Sequence, residues 1–170
     1  MARPPRVKSF SYVGFQRYLV TATTHERYPW FADSSNAREI ATQIPLSFAQ
    51  HRFDVVAYCV MPDHVHLFLE GLALDADLRA AASRWKQRTG YEWSRQFGRP
   101  LWQGGFHDRV LREAADTRSV VAYILGNPVR AGLVRDARDY PWTGSSRYTV
   151  DDLLIHAGQW QPSWKRERRG

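Results

Sequence analysis

Apolar and polar residues are arranged from Phe53 to Leu69 as two strands joined by a tight turn. Phe53 to Met61 is largely apolar and rich in strand-forming residues. Pro62-Asp63 is a turn dipeptide that cannot continue a central strand. His64 to Leu69 is strand-forming again. Side chains alternate along a strand, so His64 and His66 share one face while Val65, Leu67 and Leu69 share the other.

The remaining pattern predicts further elements. Tyr18 to Thr24 reads as a first strand. Asp33-Ser34-Ser35-Asn36 offers several helix N-caps, and a helix to about Gln50 places Ile40, Ile44 and Phe48 on one face. Pro45 inside that helix is expected to kink or divide it. A second helix opens at Leu74-Asp75-Ala76-Asp77 and runs to about Thr89, with Gly90 as its stop and Leu78, Ala81, Ala82 and Trp85 as its buried stripe. Tyr91 to Pro100 reads as a connector and Phe106 to Leu111 as a fourth strand. Asp116 or Thr117 caps a third helix, Arg118 to Leu125, which Asn127-Pro128 ends. From Ala137 onward the chain reads as loop. The order β-α-β-β-α-β-α suits an α+β fold of the ferredoxin-like kind, an antiparallel sheet with packed helices. One domain is expected overall: a basic arm over 1–17, a body over 18–148, and an extension over 149–170 ending in the basic tail Lys165-Arg166-Glu167-Arg168-Arg169.

Composition narrows the class. At 170 residues, with 44% hydrophobic and 14% aromatic residues, the chain is long enough and apolar enough to bury a core. No apolar run approaches the ~20 residues needed to span a bilayer. The N-terminus lacks the apolar segment of a secretory signal. Cys59 is the single cysteine, so no internal disulfide is available. A cytoplasmic protein is expected. The net charge is +7, and arginine far outnumbers lysine. Arginine suits bidentate phosphate contacts and stacking on bases. Together with seven tryptophans and eight tyrosines, this points toward nucleic acid, single-stranded above all. A basic protein with an aromatic core has the same composition.

Two imidazoles side by side on a strand make half of a divalent metal site, although a bare His-x-His also occurs as a half-buried polar pair. Tyr123 and Asn127 lie four residues apart, hence on one helical face. Asn127 offers a carbonyl oxygen to a hard cation such as Mg²⁺ or Mn²⁺, and Tyr123 offers a nucleophilic hydroxyl. Tyrosine in water ionises only near pH ~10. A tyrosine attacking an anionic phosphodiester therefore needs a cation to orient the phosphate and offset its charge. Taken singly, Tyr123 is also what a helix packs against a sheet, and Asn127 is a natural residue before a proline.

The segment Val60-Met61-Pro62-Asp63-His64-Val65-His66-Leu67 resembles the HUH motif of single-tyrosine, single-stranded DNA transposases. Tyr123-Ile124-Leu125-Gly126-Asn127-Pro128-Val129-Arg130-Ala131-Gly132-Leu133-Val134 resembles their tyrosine-helix motif. Trp102-Gln103, and Tyr140-Pro141-Trp142 followed by Ser145-Ser146, are similar to the branch called REP-associated tyrosine transposases. The resemblance spans about residues 15 to 148. It implies that His64, His66 and Asn127 hold Mg²⁺ or Mn²⁺. It further implies that Tyr123 cuts single-stranded DNA beside a hairpin, leaving a 5′-phosphotyrosine and a free 3′-hydroxyl. Arg84, Lys86, Arg88 and Arg130 become candidate DNA contacts. Asp63 stands where asparagine is common in the family, and strand alternation predicts that it points away from His64. Relatives are monomers or homodimers, and both remain open. So do two other activities: a hairpin-binding protein without efficient cleavage, and a metal phosphoesterase that uses water.

Overall fold

The computed structural model describes residues 10 to 158. The first nine residues of the basic arm and the basic tail Lys165 to Arg169 lie outside the described residues. Five strands form one antiparallel sheet: β1 (Arg17–Thr23), β2 (Phe53–Met61), β3 (His64–Gly71), β4 (His107–Leu111) and β5 (Thr143–Gly144). Their spatial order is β4-β1-β3-β2-β5. The helices are α1 (Ser34–Ala49), α2 (Leu78–Phe97), α3 (Ala114–Arg130) and α4 (Val150–Gly158). Among the described residues, no helix is long and apolar enough to cross a membrane.

Alternation along each strand divides the molecule into two cores. Val20, Val65, Leu67 and Leu69 face α1 and α2, where they pack with Ile40, Ile44, Phe48, Trp85 and Trp93. Ala57, Cys59, Met61 and Phe68 face α3 and α4, where they pack with Val121, Ile124, Leu125 and Leu153. The ferredoxin-like α+β expectation holds, with helices on both faces. Of the stretch assigned to the arm, Tyr12 is buried and its carbonyl accepts a hydrogen bond from Leu78 N.

The secondary structure departs from the sequence reading at four places. Helix α1 runs undivided through Pro45; burial of Ile40, Ile44 and Phe48 outweighs the lost backbone bond, a cost of about 3 kcal/mol in an exposed helix. Helix α2 passes through Gly90 and continues to Phe97, so the expected connector over Tyr91 to Pro100 is mostly helical. Trp93, 1% exposed, packs against Phe31, Trp30 and Phe97, and this burial carries the helix about two turns further. The stop is Gly98, in the left-handed conformation at φ 66° that glycine adopts without strain. Helix α3 begins earlier than expected and passes Pro128, ending at Arg130. The region read as loop after Ala137 contains β5 and α4.

Candidate active site

Strand β3 is central, and its histidines are set by the ladders on both sides. His66 sits opposite Thr21 of β1 and Cys59 of β2; His64 sits opposite Thr23 and Met61. His64 and His66 therefore face the α3 side of the sheet, as alternation predicts. Their Nε2 atoms are 3.1 Å apart. Each ring has its other nitrogen engaged. Thr21 Oγ1 lies 3.0 Å from His66 Nδ1. His64 Nδ1 donates to Asp63 Oδ1 at 2.6 Å. The expectation that Asp63 points away from His64 is thus overturned. Asp63 belongs to the turn rather than to the strand, so alternation does not govern it.

Helix α3 places Tyr123 over His66. The rings of Tyr123 and His66 are 5.2 Å apart, centre to centre, and meet edge-on. Tyr123 is 42% exposed whereas His66 is 5% exposed. The arrangement is a buried imidazole roofed by a phenol that solvent reaches. One turn further along α3, Asn127 lies on the same face as sequence spacing implied. Its side-chain nitrogen is buried without a hydrogen-bond partner among the described residues. Arg130 folds back along the helix. Its guanidinium lies 4.8 Å over the Tyr123 ring and donates to the Tyr123 carbonyl at 2.7 Å. Gly126 makes room for it: a Cβ there would meet Arg130 Nη1 at 2.6 Å.

The electrostatics keep His66 neutral. Burial, assisted by His64 and Arg130, pushes the His66 imidazole down to about 3, so the ring is neutral and able to ligate. Burial alone would raise Asp63, but hydrogen bonds from His64 and Arg27 outweigh it and hold the carboxyl below its ordinary value. When Thr21 accepts from His66 Nδ1, both Nε2 atoms carry lone pairs that point at each other across 3.1 Å. A shared proton or a metal ion between them relieves that contact. The two imidazoles converge on one point, and Asn127, one turn beyond Tyr123 on α3, would add an amide oxygen to complete a donor set for a divalent ion with open positions. It is a lean set: among the described residues there is no group of three or more His, Cys, Asp and Glu placed to hold a metal.

The other expected contacts are placed differently. Arg84, Lys86 and Arg88 lie on α2, on the opposite face of the sheet from Tyr123. Lys86 is committed to the loop before β4, where Nζ donates to the carbonyls of Gln103 and Gly105. Arg88 pairs with Glu92 at 3.4 Å, and Arg84 is exposed. Trp30, Trp85, Trp93 and Trp102 pack in or against the α1–α2 core, so these tryptophans build the fold rather than a stacking surface. Cys59 is buried, and burial pushes its thiol up to about 11. Sequence reading missed Thr21 and Arg27. Thr21 is recognisable only from the β1–β3 register, and Arg27 only from the fold of the loop that carries it.

Comparison with known proteins places the chain in a family. Over 106 residues, 56% of this chain, the sequence is 30% identical to a Haemophilus influenzae protein assigned as a REP-associated tyrosine transposase, covering 60% of that relative. It is 31% identical over 96 residues, 54% of this chain, to the Escherichia coli K12 REP-associated tyrosine transposase, covering 53% of it. The chain thus spans between half and two thirds of the length of these relatives. The fold is similar to that of a REP-associated tyrosine transposase solved bound to a REP hairpin: TM-score 0.70 and 21% identity, over 96% of this chain and 93% of that one. A model of the family described as IS200-like transposases matches residues 14–127, which include both histidines, Tyr123 and Asn127. The chain belongs to the IS200-like transposase family.

Proposed function

We propose that this protein is a metal-dependent, single-stranded DNA endonuclease and strand transferase that cuts beside hairpin DNA. The observation that carries the reading is the exposed Tyr123 phenol set 5.2 Å over His66, whose Nε2 converges on that of His64. Tyr123 attacks the scissile phosphorus; the bond from phosphorus to the 3′ oxygen breaks, and the phenolic proton ends on the released 3′-hydroxyl. The product is a 5′-phosphotyrosine, and reversal by the same or another 3′-hydroxyl joins strands. His64, His66 and Asn127 would hold Mg²⁺ or Mn²⁺, which would offset the charge of the phosphate during the attack. Arg130 brings a fixed positive charge beside Tyr123. Tyr123 and His66 meet within one chain, which supports attack without a residue from a second copy. The REP hairpin on the structurally similar transposase supports hairpin DNA as the substrate.

The test is a denaturing gel with end-labelled single-stranded hairpins and Mn²⁺. A label that shifts to a denaturant-resistant adduct with wild type, and not with Tyr123→Phe, is the expected result. Cleavage without an adduct would replace this reading with a water-using phosphoesterase. Tight binding of several hairpins with neither product would replace it with a hairpin-binding protein.

A further inference from the structure

The loop before α1 does more than connect. Thr24 is fully buried. Its backbone N–H and its hydroxyl both contact the Asp63 carbonyl at 2.9 Å, and the hydroxyl also lies 2.9 Å from the Tyr28 carbonyl. Phe31 N donates to the Pro62 carbonyl at 3.0 Å. The loop therefore grips the Pro62-Asp63 turn from two sides. Between these grips, Glu26 and Arg27 both adopt left-handed backbone conformations, φ 53° and 54°. Non-glycine residues rarely adopt that region, and they persist there only where their surroundings dictate it. The outcome of this costly bend is specific: Arg27 Nη1 donates to Asp63 Oδ2 at 2.8 Å. The two oxygens of one carboxylate are thus divided, one on Arg27 and the other on His64 Nδ1.

We propose that Arg27 and Asp63 are positioning residues for the metal site, a relay in which Arg27 orients Asp63 and Asp63 fixes both the rotamer and the tautomer of His64. This rests on the reading that His64 and His66 hold a divalent cation. Keeping the proton on Nδ1 leaves the Nε2 lone pair free and aimed toward His66. A carboxylate behind a ligating imidazole also raises its basicity toward a metal. Thr21 serves the same end at His66 with a neutral hydroxyl. The two imidazoles are therefore backed unequally, His64 by a charge and His66 by a dipole. A purely structural role fits poorly. Arg27 has its side chain 67% exposed, and an ion pair with so exposed a partner adds little to stability.

The experiment is Mn²⁺ titration of the full chain by calorimetry, together with nitrogen-detected NMR of the histidine rings. Wild type, His64→Ala, Asp63→Ala, Asp63→Asn, Arg27→Ala and the Arg27→Ala/Asp63→Ala pair are compared. Wild type should bind Mn²⁺ and His64→Ala should not, which tests the metal reading on its own. Asp63→Ala should weaken binding by about 10- to 100-fold and mix the His64 tautomers, with the melting temperature unchanged. Asp63→Asn, whose amide oxygen still accepts from Nδ1, should restore the tautomer and part of the affinity. Arg27→Ala should cost less than Asp63→Ala, and nothing further once Asp63 is gone. Wild-type affinity and a single tautomer in both Asp63→Ala and Arg27→Ala would overturn the relay while leaving the metal site standing. Absence of Mn²⁺ binding by wild type would overturn both.

Discussion

The two faces of the sheet are finished differently. Under α1 and α2, aromatic and aliphatic side chains fill the space to its edges. Trp93, Phe31, Phe48 and Phe53 are among the largest fully buried groups in the described chain. Under α3 and α4, the apolar cover extends over Phe68, Cys59 and Met61 and then gives way to His66, His64 and an exposed Tyr123. The difference teaches a division of labour. Two imidazoles, a threonine and a carboxylate are poor core material, because buried polar groups cost free energy unless each finds a partner. A face that must keep them in fixed geometry needs a rigid backing, and the closed face supplies it through the same strand: Val65, Leu67 and Leu69 alternate with His64, His66 and Phe68.

Substitutions on either face should separate chemistry from stability. His64→Ala should abolish Mn²⁺-dependent cleavage in the gel assay while the urea midpoint stays near that of wild type, because His64 is partly exposed and packs little apolar surface. Cleavage equal to wild type would remove His64 from the site. Trp93→Ala should do the reverse. Loss of a fully buried indole is expected to cost about 3–5 kcal/mol, read as a lower urea midpoint, while the protein still folded in native buffer keeps its ability to form the adduct. A smaller cost belongs to Thr89, which is buried on α2. Its hydroxyl accepts from Trp102 Nε1 at 2.8 Å and donates to the Trp85 carbonyl at 2.8 Å. Thr89→Val leaves the Trp102 N–H unpaired and should lower stability by about 1–3 kcal/mol.

The same division explains what the sequence made legible. The β2–β3 hairpin and the shared face of His64 and His66 follow from strand alternation, which depends only on local geometry. Likewise, the four-residue spacing of Tyr123 and Asn127 suffices to put them on one side of α3. Gly90, Pro45 and Pro128 were misleading because their local penalties are outweighed by burial of residues such as Trp93, and the partner surfaces lie far along the chain. Helix α4 did carry a signal that went unread. Thr149 and Asp152 cap each other's backbone, Thr149 N donating to Asp152 Oδ2 and Asp152 N to Thr149 Oγ1, both at 3.1 Å, in a Thr-x-x-Asp form of the capping box. Thr21, Arg27 and the true direction of Asp63 needed strand register and loop conformation, which no periodicity encodes.

The sharpest probe of the open face is the smallest. Gly126 sits in the middle of α3, where glycine costs about 0.5–1 kcal/mol relative to alanine through its backbone freedom. By propensity alone, Gly126→Ala should stabilise the protein by that amount. The added methyl meets the far end of Arg130, a flexible side chain that can swing away cheaply, so little of the gain should be lost. The swing, however, takes the guanidinium off the Tyr123 ring and carbonyl. Gly126→Ala should therefore raise the urea midpoint slightly and slow adduct formation in the same sample. A variant that is more stable and equally fast would show that Arg130 has no part in the chemistry. One that is less stable would show that Arg130 cannot leave, and that its contact with Tyr123 belongs to the fold as much as to the site.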